Sequence, residues 1–67
     1  MTEFNIPAEI KEQLIQERLQ ALNLEGYQHE LNKKAAEAVG NLEAVAQADE
    51  AIQVIKNAIA VHEEELA

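Results

Sequence analysis

The chain has 67 residues, 13 acidic against 5 basic, a formal charge of −8, and neither cysteine nor serine. These figures predict one small domain without disulfides or thiolate metal sites, whose charge opposes direct binding to nucleic acid, because such binding needs lysines and arginines to neutralise phosphates. Thr2 is the only hydroxyl nucleophile besides Tyr27, and Gly26 and Gly40 stand too far apart for a phosphate loop or dinucleotide fingerprint, so covalent hydrolase and nucleotide chemistry are excluded and no enzyme is expected.

Apolar residues make up 48% of the chain with one tyrosine and one phenylalanine, which fits an all-α fold held by aliphatic packing. A domain of this size buries only about 60% of its unfolded surface, so oligomerisation is the reinforcement left to it. The longest apolar run, Ala58 to Val61, is far short of the roughly 18 residues of a membrane span, and the first residues lack a basic and apolar leader. No membrane contact and a cytoplasmic location are expected.

Residues 1–6 have no periodicity and read as a loose start from which Phe4 or Ile6 should touch the fold. Pro7 suits a first helical turn, with Asn5 or Ile6 as the cap and Glu9 and Glu12 near the positive end of the helix dipole. The first helix is predicted over residues 7–39. Ile10, Leu14, Ala21, Leu24, Tyr27, Leu31, Ala35, Ala38 and Val39 gather on one of its faces, and Ile15, Leu19 and Leu22 lie nearly opposite. A helix apolar on two sides asks for two partners. The alternative is a turn at Asn23-Leu24-Glu25-Gly26, which would split the segment and let a three-helix monomer bury both faces; continuity is preferred, since one glycine costs a helix only about 1 kcal/mol relative to alanine.

Gly40-Asn41 is the clearest punctuation: glycine fits the left-handed residue beyond a helix end and asparagine caps the next helix. Alanines at 35, 36, 38, 44, 46 and 48 let two backbones approach closely beside this turn. The second helix is predicted over 42–66, and Val45, Ala48, Ile52, Ile55, Ile59, His62 and Leu66 form a heptad seam along it. Folding back at residues 40–41 sets Ile52 near His29, Ile55 near Gly26, Ile59 near Leu22 and Leu66 near Ile15. Beside the seam, Ala51, Val54, Ala58 and Val61 widen the apolar arc.

The expected architecture is an antiparallel hairpin of two long helices that dimerises into a four-helix bundle, with Ile15, Leu19, Leu22, Val54, Ala58 and Val61 as the self-association face. A solitary, compact, fully folded chain with Ile15, Leu19 and Leu22 tucked inside itself would end the case for self-association.

Metal and cofactor sites are not expected. His29-Glu30 begins the zinc-protease helix pattern, but position 33 is a lysine, and Gly26 and Ile59 occupy the positions where a Glu-x-x-His unit would need glutamates. His62 on the seam reads as a packed ring whose nitrogens reach solvent or a neighbour, more than as a ligand or pH switch. His29 reads as a surface or contact residue off the main stripe, and Tyr27 as a core or interface residue between Leu24 and Leu31. Glu9, Glu12 and Glu17 with Glu63, Glu64 and Glu65 form an acidic pole, which reads as a solvated end or as a contact for another protein with a basic surface.

Tyr27-Gln28-His29-Glu30-Leu31-Asn32 and the ending Val61-His62-Glu63-Glu64-Glu65-Leu66 resemble small helical-hairpin proteins of bacteriophages, most of them without assigned function. The resemblance implies a helical hairpin of viral origin and carries no functional residue with it. The expected function is a non-enzymatic, self-associating interaction or assembly module; the alternative is an acidic inhibitor or nucleic-acid mimic that occupies a basic site on a partner protein.

Overall fold

The structure is a computed structural model that describes residues 4–67. It contains two helices, α1 (Ala8–Ala38) and α2 (Leu42–Leu66), folded as an antiparallel hairpin. Pro7 itself is the N-cap of α1: its φ of −53° and ψ of 139° turn its carbonyl into the helix, where it accepts from the Lys11 backbone N–H at 2.9 Å. The cap expected from Asn5 or Ile6 is not made, and no side chain takes its place. Phe4 stands almost fully exposed and Ile6 about half exposed, so Phe4 docks on neither helix.

α1 continues unbroken through Gly26, which rules out a turn at Asn23 to Gly26 and with it the three-helix arrangement. Two side-by-side forces explain this. The flanking residues are good helix formers, and Gly26 lies under Ile55, close enough that a methyl group on its Cα would sit 3.4 Å from Ile55 Cγ2. The small residue lets a branched side chain of α2 pack directly over the α1 backbone.

The turn has the geometry expected of its residues. Gly40 has φ of 70°, its N–H donates to Glu37 O at 3.1 Å, and the Asn41 N–H donates to Ala36 O at 2.9 Å, which together satisfy the last carbonyls of α1 in a Schellman arrangement. The Asn41 side chain then accepts from the Ala44 N–H at 3.1 Å and starts α2. Ala36 and Ala48 are buried beside this turn, so the small side chains do bring the backbones together there.

The fold-back register follows from cross-helix contacts along the whole length: Lys33 with Asp49 at 2.8 Å, Gly26 under Ile55, Arg18 with His62 at 3.1 Å, and Lys11 with Glu65 at 3.8 Å. The result is a rod of 49 × 24 × 15 Å with a Cα radius of gyration of 15.6 Å. A compact domain of this length would have a radius near 11 Å. The accessible surface is 5555 Å², against about 4,200 Å² for a compact monomer of the same mass. Only Ile15, Ala36, Ala48 and Ile55 are buried, and among the described residues no side chain is completely sealed from solvent.

Candidate association surfaces

The inner side of α1 is set by the contacts above. Ile15 and Ala36 are buried and Leu19, Leu22, Gly26, His29 and Lys33 are half-buried, at alternating spacings of four and three that form one heptad seam facing α2. Among the described residues α2 is the element packed against α1 and covers them. This corrects the assignment of Ile15, Leu19 and Leu22 to a self-association face: they pack within the hairpin. The physical reason is register: the seam of α2 with its large Ile52, Ile55 and Ile59 lies along this side of α1, with Ile55 over Gly26. His29 is likewise on the inner seam, half-buried beside Asn32, Ala44 and Ala48, and not on an outer surface.

The outer side of α1 carries a second heptad series. Ile10, Leu14, Leu24 and Leu31 are exposed by 56%, 46%, 62% and 46%, and the exposed alanines 21, 35 and 38 continue the same spacing. Glu17 and Gln28 are the two polar members of this series. Tyr27 borders it and is also mostly exposed, with Gly26, Ile52 and Ile55 in the groove at its base, so it is not a core residue.

On α2, Val54 and Val61 are exposed and Ala51 and Ala58 half-buried along one flank of the hairpin. This flank shares its side with Lys11, Arg18 and Glu65. The opposite flank is polar: Glu30, Lys33, Glu37, Asp49 and Lys56 line one shallow groove. There the Lys33 amine is held above its ordinary value of 10.5 by its hydrogen bond to Asp49, then by the charges of Asp49, Glu37 and Glu30.

His62 is half-buried on the α2 seam. Its Nδ1 lies 2.6 Å from Ala58 O and therefore carries the ring proton, which leaves Nε2 to accept from Arg18 Nε–H at 3.1 Å. The ring is packed with both nitrogens satisfied, and it ties the exposed Arg18 side chain to α2 through its Nε. Sequence reasoning had no signal for this use of Arg18.

The acids expected as one pole lie at the end of the hairpin away from the turn and face in several directions. Glu12 and Glu65 line a single groove with Lys11, and Lys11 is paired with Glu65, but Glu17 belongs to the outer series of α1. Glu63, Glu64 and Glu65 are successive helical residues and point about 100° apart, around the end of α2. Among the described residues no three His, Asp or Glu side chains converge as a metal site would require. No helix is long and apolar enough to cross a membrane. No protein-family pattern, curated protein or solved structure matches the chain.

Proposed function

We propose that the chain is a non-enzymatic association module: a helical hairpin that pairs with a second copy through the outer side of α1, forming a four-helix homodimer that serves assembly or partner binding. The observation that carries this is the exposed heptad series of Ile10, Leu14, Leu24 and Leu31 along a helix whose other side is already occupied. Surface bookkeeping supports it, because the chain exposes about 1,300 Å² more than a compact monomer of its mass, and a standard interface buries about 800 Å² per partner. Origin among small hairpin proteins of bacteriophages is part of the proposal and rests on the two resembling phrases at residues 27–32 and 61–66.

Sedimentation equilibrium tests the reading. At tens of micromolar the expected mass is twice the 7.4 kDa of one chain. A 7.4 kDa species with full helicity at that concentration would refute it.

A further inference from the structure

The outer series of α1 is not uniformly apolar, and its two interruptions, Glu17 and Gln28, restrict how a second copy can lie against it. We infer that α1 pairs with α1 of a second copy in antiparallel orientation, in the one register that sets Glu17 against the partner's Gln28. This inference rests on the self-association proposed above and adds its geometry.

In that register Leu14 meets the partner's Leu31 and Ala21 meets the partner's Leu24, so large side chains alternate with small ones near the twofold axis. Ile10 meets the partner's Ala35 at each end. Each carboxylate of Glu17 then faces a Gln28 amide, which can donate to it, and this happens twice by symmetry. Two exposed charged residues flanking the series agree with the choice: Arg18 falls beside the partner's Glu25, again twice. The two copies of α1 overlap along nearly their entire length of about 46 Å.

The competing arrangements each contain a mismatch. Sliding one heptad one way buries Gln28 against the partner's Leu24 and sets Glu25 against the partner's Glu25. Sliding the other way buries Gln28 against the partner's Ile10 and sets Arg18 against the partner's Arg18. A parallel pair in register opposes Glu17 to the partner's Glu17. Specificity therefore comes from the polar members and not from the leucines.

Single nitroxide labels at Gln13→Cys, Gln20→Cys and Lys34→Cys test this in an otherwise cysteine-free chain. All three positions are exposed and border the series. At 1.5 Å rise per residue, the expected offsets along the axis between the two labels are about 28 Å for position 13, about 8 Å for position 20 and about 34 Å for position 34. A one-heptad slide changes the offset by about 10 Å at positions 13 and 34, in opposite senses, and a parallel pair makes all three equal; either outcome overturns the register while leaving self-association standing. Absence of any dipolar coupling at concentrations where the proposed dimer should form overturns both. As an independent arm, Glu25→Arg should weaken association about tenfold and Arg18→Glu added to it should restore most of the loss. Failure of the second substitution to rescue the first also overturns the register.

Discussion

The two sides of α1 differ in a way that simple apolar content does not anticipate. The side turned to α2 includes a glycine, a histidine and a lysine among its seven seam positions; the side turned to solvent holds Ile10, Leu14, Leu24 and Leu31 with three alanines. The poorer face is the one that is packed. Shape contributes: α2 presents three isoleucines in a row, and Ile55 packs over Gly26, where a methyl group would stand at ordinary contact distance, 3.4 Å from its Cγ2, and a larger side chain would have to displace it. The richer face is exposed in the hairpin, and it is the one we propose for the second copy.

The largest expected effect is on the packed side. Ile55→Ala should destabilise the hairpin by about 2–4 kcal/mol in urea unfolding, because Ile55 is the most covered side chain of the described residues. Leu24→Ala, at a dilution where the chain is monomeric, should cost less than about 0.5 kcal/mol, which would separate the roles of the two sides. Gly26 sharpens the same contrast through sign. Gly26→Leu should overpack against Ile55 and cost about 1–3 kcal/mol, whereas Gly26→Ala should gain up to about 1 kcal/mol in thermal unfolding, since its methyl fits at ordinary contact distance. At the turn, Asn41→Ala removes the cap bond to the Ala44 N–H and should cost about 1 kcal/mol.

The smallest effect concerns Lys33, whose amine is held above its ordinary value of 10.5 by Asp49. A raised value in the folded chain means that its stabilising contribution is complete below pH 10.5 and is lost as pH rises above that through the folded value. Unfolding followed between neutral pH and pH 11 should show this alkaline decline, and Lys33→Met should remove that component of it.

Much of the hairpin was legible from residue spacing. The α2 seam, the turn at Gly40-Asn41 and the pairing of Ile55 with Gly26 all follow from heptad intervals and from the conformations that glycine and asparagine favour. The facing of α1 was not, because counting apolar residues around a wheel ranks its sides by oiliness and carries no information about where a partner's branched side chains need space. Arg18 was missed for a related reason: its partner His62 lies far away in sequence, and nothing in local spacing links them. Glu17 and Gln28 look like interruptions on a helical wheel, and they gain a role only in the antiparallel pairing we propose.

The central claim is that the outer side of α1, and not the valine flank of α2, meets the second copy. Sedimentation equilibrium of Leu24→Asp and Val54→Asp, run side by side at tens of micromolar with helicity checked by circular dichroism, tests it most directly. The expected result is a 7.4 kDa monomer for Leu24→Asp and a dimer for Val54→Asp. A dimer that survives Leu24→Asp but dissociates with Val54→Asp would contradict it.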